Sequence, residues 1–173
     1  MIEIGFKKIE LEDKDLITHY FKHHTSRSCE RTFVNVYLWA RFYHVKFAEV
    51  EHTLVFRTED EDGFSFAYPA GEPENVKKAL DVLMVYSKER GVPFLMYTVT
   101  PDNFEYLEKW YPGRFEIEYV EGDADYVYES EKLATLSGKK LHSKRNHVNK
   151  FKIVYADRWS YEPISEDNLE ECV

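Results

Sequence analysis

The chain has 173 residues, with 32 Asp and Glu against 23 Lys and Arg, and a formal charge of −9 at neutral pH. That length can bury the core of one ordinary domain, and an aromatic share of 16% excludes a disordered polyelectrolyte. The acidic balance also excludes a generally basic nucleic-acid binder, so any polyanion must be met locally.

No apolar run approaches the roughly 18–20 residues that a membrane span needs. The N-terminal stretch MIEIGFKKIELEDKD lacks the apolar region and cleavage site of an export signal. Cys29 and Cys172 are far apart, with no metal-type spacing, which suits a reducing compartment. A cytoplasmic protein without a transmembrane segment is expected.

In chain order, Ile2–Ile9 reads as a first strand and Asp13–His24 as an amphipathic helix with Leu16, Ile17, Tyr20 and Phe21 on one face. After the polar loop TSRSCER, Thr32 is placed to cap a second helix, FVNVYLWARFY, whose inner face is Phe33, Val36, Tyr37 and Ala40. Val45–Val50, Thr53–Arg57 and Phe64–Tyr68 read as a three-strand meander. The loop PAGEPEN leads to a helix with Pro73 in its first turn, a stripe of Val76, Leu80, Leu83 and Tyr86, and Gly91 as its C-terminal glycine.

Pro93–Val99 is apolar on both faces and predicts a central strand. Thr100-Pro101 starts a short helix through Trp110, ended by Tyr111-Pro112-Gly113. Phe115–Val120 and Asp125–Tyr128 then read as paired strands, and Ser130 as the cap of a short helix closed by Gly138. Trp159–Ile164 predicts one more strand, and Ser165 the cap of a helix that the chain stops inside. A truncated chain is therefore expected.

The segment Gly138–Tyr155, GKKLHSKRNHVNKFKIVY, breaks the acidic pattern. It holds Lys139, Lys140, Lys144, Arg145, Lys150 and Lys152, with no acid before Asp157. Taking these six from the 23 basic residues leaves 17 against 32 acidic ones. With Ser137 as its cap, the helix would carry Lys139 and Lys140 in its first turn, where the macrodipole disfavours cations by about 0.3–1 kcal/mol each. A bound anion would compensate. The competing reading is a solvated charged face.

Arg145 suits a bidentate phosphate grip, Lys139, Lys140 and Lys144 act as point charges, and His142, Asn146 and Asn149 can donate or accept beside them. For His142 and His147 a phosphate or packing role is favoured over general base. Leu141, Val148, Phe151 and Tyr155 give the same helix an apolar face. His19, His23 and His24 lack a completing ligand, so no metal site is assigned. No Ser/His/Asp or Cys/His set can be assembled, and Arg31, Arg41 and the many tyrosines show no readable spacing.

The element order up to Tyr128, β-α-α-β-β-β-α-β-α-β-β, is similar to the GNAT acyltransferase fold. The segments TFVNVYLWARFY, FEIEYVEGDADYVYESEKLATLSGKKLHSKRNHVNKF and YEPISEDNLEECV resemble the family named for the C-terminal domain of phosphatidylglycerol lysyltransferase. That resemblance implies a tandem of two GNAT-like lobes related to aminoacyl-tRNA-dependent transferases. The expected fold is an α/β mixed sheet, with a GNAT-like lobe over 1–129, a connecting segment with the basic helix over 130–157, and the start of a second lobe over 158–173.

The implied function is part of an acyl or aminoacyl transferase, with aminoacyl-tRNA or acyl-CoA as donor in the full-length protein. A tRNA acceptor end, a phospholipid headgroup and the second lobe are the implied partners. The alternative is a non-catalytic scaffold whose basic helix docks an acidic partner or the second lobe. GNAT lobes that bind acetyl-CoA present a Gln/Arg-x-x-Gly-x-Gly/Ala loop, whereas this chain has PAGEPENV, with one glycine, Gly71, and two carboxylates, Glu72 and Glu74. A pyrophosphate there would be repelled, so this lobe is expected neither to bind CoA nor to act alone.

Overall fold

A computed structural model describes residues 1–22, 28–61, 63–124 and 126–172. The fold is mixed α/β. The chain divides into two compact units, Met1–Val120 and a second from Glu121 onward.

The first unit is built on a five-strand sheet in the order β1 (Lys7–Lys8), β2 (Lys46–Val50), β3 (Thr53–Asp60), β4 (Gly63–Ala67) and β5 (Met96–Tyr97). Neighbours are antiparallel from β1 to β4, while β4 and β5 run parallel. Glu51 and His52 join β2 to β3 with φ of 48° and 58°, the two left-handed residues that a tight hairpin needs to match strand twist. Alternation along the strands then sorts side chains to two faces. Phe47, Leu54 and Phe56 meet Ile17, Phe21 and Phe33 on one side. Ala48, Val55 and Phe66 meet Ala79, Leu83 and Tyr86 on the other.

Helices cover both faces. On the first side, α1 (Lys14–Lys22) buries Ile17 and Phe21. Asp13 introduces it, accepting from the Glu10 N–H at 3.0 Å and from Lys7 Nζ at 2.6 Å. Also on this side, α2 (Phe33–Ala40) starts where Thr32 Oγ1 accepts from the Asn35 N–H at 3.4 Å, and it buries Phe33 and Ala40. On the second side, α3 (Pro73–Glu89) has proline in its first turn and buries Val76, Ala79, Leu80, Leu83 and Tyr86, before Gly91 turns the chain at φ 68°. Next, α4 (Pro101–Trp110) opens on a capping box in which Thr100 and Asn103 bond each other's backbone N–H. The Tyr111 hydroxyl closes it onto α3, donating to Asp81 Oδ1 at 2.7 Å.

One cation is built into the second face. Arg57 lies among aromatic rings, 4.4 Å from the centroid of Phe6 and 5.5 Å from that of Phe64. It donates to the Tyr86 hydroxyl at 2.6 Å and to Glu59 at 2.5 Å. Its charge stays partnered, which makes its burial tolerable.

Several expectations are corrected here. The sequence Pro93–Val99 forms strand only over Met96–Tyr97, and it is the edge of the sheet, with Leu95 exposed. The first strand is reduced to Lys7–Lys8. Residues 115–120 and 126–128 form no strand: Phe115 packs against the third core cluster, while Ile117, Tyr119, Tyr126 and Val127 are exposed and find no ladder. Asp125, His23 and His24 lie outside the described residues.

The second unit holds α5 (Ser130–Thr135), α6 (His142–Tyr155) and short 3-10 turns. Ser130 is the first residue of α5, not its cap; Glu129 precedes it without a side-chain bond. Leu136, at φ 50°, ends α5 before Gly138 is reached. Residues 159–164 form no strand, and the expected last helix is a 3-10 turn over Leu169–Cys172. Ser165 enters it through its backbone N–H, which donates to Asn168 Oδ1 at 2.8 Å. Among the described residues of this unit, none is buried.

Candidate functional site

The basic segment begins differently from its sequence reading. Ser137 does not cap it. Gly138, at φ 89°, precedes a 3-10 turn over Lys139–Leu141, and α6 proper starts at His142 with no side-chain cap at either start. Lys139 and Lys140 therefore sit one tight turn ahead of the α-helix, at its positive end.

Lys139, His142 and Arg145 come together with Gly138 around one shallow depression. Arg145 donates to the Leu136 carbonyl at the end of α5, so its guanidinium also ties down a carbonyl that the helix leaves unsatisfied. Arg145 Nη2 lies 3.3 Å from His142 Nδ1, and Asn146 Nδ2 lies 3.2 Å from His142 Nε2. A guanidinium can only donate, so Nδ1 accepts and the imidazole proton sits on Nε2. The Asn146 amide then serves Nε2 best with its oxygen turned toward the ring.

Lys140, Lys144 and Asn149 are exposed and do not line the depression. Among the described residues, none of the six cations from Lys139 to Lys152 is paired with a carboxylate. The apolar side of α6 is open: Phe151 stacks within its own unit on Tyr155 and Trp159, at 5.0 and 5.5 Å, yet Val148, Phe151 and Tyr155 all remain exposed.

The turn ahead of α3 has a steric explanation. A Cβ on Gly71 would lie 2.8 Å from Thr53 Cγ2 and 3.3 Å from the His52 carbonyl oxygen. Glycine is required there because the chain passes hard against the β2–β3 turn. With Glu72 before the helix, Pro73 lacking an N–H and Glu74 in the first turn, this helix start repels anions.

A third arrangement escaped the sequence reading. At the carboxyl ends of the parallel pair, the Tyr68 N–H donates to the Tyr97 carbonyl at 3.1 Å. Arg31, preceding α2, donates to the Tyr68 carbonyl at 2.8 Å, and its burial lowers its pKa from the usual arginine value. Burial raises the Tyr97 hydroxyl, which pairs with Thr58 Oγ1 at 2.8 Å. Thr98 holds φ at 54°, uncommon for a β-branched residue, and its buried Oγ1 has no hydrogen-bond partner. The region beyond the carboxyl ends of parallel strands is a habitual ligand position in α/β sheets. No local spacing signals it, because four separate segments supply it.

The chain as a whole is similar to known proteins. A model of the family described as phosphatidylglycerol lysyltransferase, C-terminal, matches residues 21–173. A crystal structure of a conserved protein of unknown function from Bacteroides thetaiotaomicron is similar with a TM-score of 0.85 and 34% identity, covering 98% of this chain and 57% of that one. An uncharacterised protein of Mycoplasmoides gallisepticum is 41% identical over 44 residues, 25% of this chain and 14% of its own length. The chain thus spans little more than half of the solved relative.

Proposed function

The chain belongs to the family of the phosphatidylglycerol lysyltransferase C-terminal domain, and from that premise we propose that it is the GNAT-like N-terminal part of an acyl or aminoacyl transferase. The observation that carries this reading is the unpaired cation set at the start of α6, with Lys139, His142 and Arg145 around one depression. Lys139, Lys140, Lys144 and Arg145 meet the phosphates of a donor such as a tRNA acceptor end, or of a phospholipid headgroup. His142, Asn146 and Asn149 lie beside them as hydrogen-bonding groups.

In the reaction, an amine or hydroxyl attacks the carbonyl carbon of an ester. A new C–N or C–O bond forms, the ester C–O bond breaks, and the departing oxygen takes the proton the nucleophile gives up. We assign no catalytic residue to this chain. The acidic, proline-containing start of α3 argues against a pyrophosphate there, so the donor is assigned to the α6 segment.

The test is binding of a tRNA acceptor minihelix across a salt series. Lys139→Gln, Lys140→Gln and Arg145→Gln together should weaken it about tenfold or more and flatten the salt slope by about 0.7–0.9 for each phosphate no longer neutralised. Unchanged affinity, with the circular dichroism spectrum intact, overturns the donor assignment. The exposed apolar side of α6 favours a second reading, a non-catalytic scaffold whose basic helix docks an acidic partner or the second lobe; a dock onto the second lobe would show almost no salt dependence.

A further inference from the structure

The outer face of α2 is apolar where it meets solvent. Phe33 and Ala40 fill its inward face. Val34, Leu38 and Trp39 point away from them, and Phe42 and Tyr43 continue the patch in the following turn; all five are between 49% and 69% exposed. The three rings hold one another in a cluster, with Phe42 and Tyr43 centroids 4.9 Å apart and Trp39 at 6.0 and 5.8 Å from them. A helix apolar all round is ordinarily a covered helix, and a contiguous exposed patch marks a contact site.

Charge narrows the choice of cover. From Arg31 to Ala48 the chain has no carboxylate, although the whole protein carries −9. Arg41 and His44 are exposed within the patch itself. Tryptophan, tyrosine and phenylalanine beside arginine, in a stretch without carboxylates, are the chemistry of a lipid–water boundary, where aromatic rings sit at headgroup level. We propose that this face of α2 rests on an anionic phospholipid surface, with Leu38, Trp39 and Phe42 entering the headgroup–acyl boundary and Arg41 meeting lipid phosphate. The proposal deepens the transferase reading and rests on it for the choice of lipid over protein as the cover.

The experiment uses the 173-residue chain with Trp110→Phe and Trp159→Phe, so that Trp39 alone fluoresces. Vesicles of equal parts phosphatidylglycerol and phosphatidylcholine should shift its emission to the blue, and brominated lipid should quench it. Leu38→Ser with Phe42→Ser should cut partition onto these vesicles about tenfold or more. The urea midpoint should hold, because both side chains are exposed. Vesicles of phosphatidylcholine alone should bind less.

Absence of partition, equal partition onto both vesicles, or indifference to the double substitution overturns the proposal. So does self-association through this face, seen as a sedimenting dimer that the same substitutions dissolve. The two readings fail separately. Leu38→Ser with Phe42→Ser should leave minihelix binding intact; absence of partition with minihelix binding preserved removes only the lipid face, and loss of minihelix binding with partition preserved removes only the donor assignment.

Discussion

Replacing Gly71 by alanine separates a structural glycine from a phosphate-cradling one. The added Cβ would sit 2.8 Å from Thr53 Cγ2 and 3.1 Å from Thr53 Cβ. Thr53 cannot swing aside: it is fully buried, and its hydroxyl donates to the Val50 carbonyl at 2.7 Å. Nor can the backbone drift, because Leu54 and Ala70 exchange N–H···O bonds of 2.8 and 2.9 Å one residue away. Overpacking of this kind costs about 1–3 kcal/mol, and each kcal/mol lowers Tm by about 2–4 °C in a chain of this length.

Thr53→Ser removes the obstructing methyl while keeping the hydroxyl. Alone it should cost about 0.5–1.5 kcal/mol, the usual penalty for one buried methyl. Combined with Gly71→Ala it should recover much of the loss, giving a coupling of at least about 1 kcal/mol in a urea-denaturation cycle. Additivity within about 0.5 kcal/mol would mean that the two sites do not touch, and a fully stable Gly71→Ala that loses ligand binding would return the phosphate role to this turn.

Further outcomes follow from the hydrogen-bonded charges. Burial pulls the Asp13 carboxyl up, but the bonds from Lys7 and the Glu10 N–H outweigh it and hold the group below its ordinary value. Its stabilisation is therefore complete above about pH 4 and is lost as pH falls through the lower folded value. Asp13→Asn, which keeps a bond to the Glu10 N–H but loses the charge-assisted one from Lys7, should cost about 1 kcal/mol at pH 7 and flatten acid unfolding monitored by circular dichroism. Tyr20 is pushed up to about 12 by burial and by its 2.7 Å bond to Glu49. Its contribution is present below pH 10 and fades between pH 10 and 12, so Tyr20→Phe should blunt the alkaline loss of stability. Tyr86→Phe removes the acceptor at 2.6 Å from the buried Arg57 guanidinium. It should cost about 1.5–3 kcal/mol by urea titration; a neutral result would mean that the cation finds water instead.

The first unit was legible where one local signal sufficed. Pro73, a 3.6-residue stripe and Gly91 define α3, and Thr100-Pro101 defines the start of α4. The β2–β4 meander follows from alternation between turn residues. Alternation failed at FEIEYV because period two states which side chains share a face, not whether a neighbouring strand exists. The same ambiguity made Pro93–Val99 look central, when a short edge strand can also be apolar on both faces. In the basic segment the cations were plain, yet the 3-10 turn ahead of α6 was hidden, since serine and glycine both suit a helix start. The Arg31–Tyr68–Tyr97–Thr98 group required the fold, because its members meet only through the β4–β5 pairing.

A helix whose own unit buries none of its described residues has an energetic consequence for whatever it binds. Isolated helices of about 12–15 residues are marginal in water, and α6 has 14. The cations proposed to meet phosphate are thus mounted on an element that a ligand can order. The ordering cost is then subtracted from affinity, and a mutation that only stiffens α6, such as Ile153→Ala on its exposed surface, should tighten phosphate binding without any new interaction with the ligand.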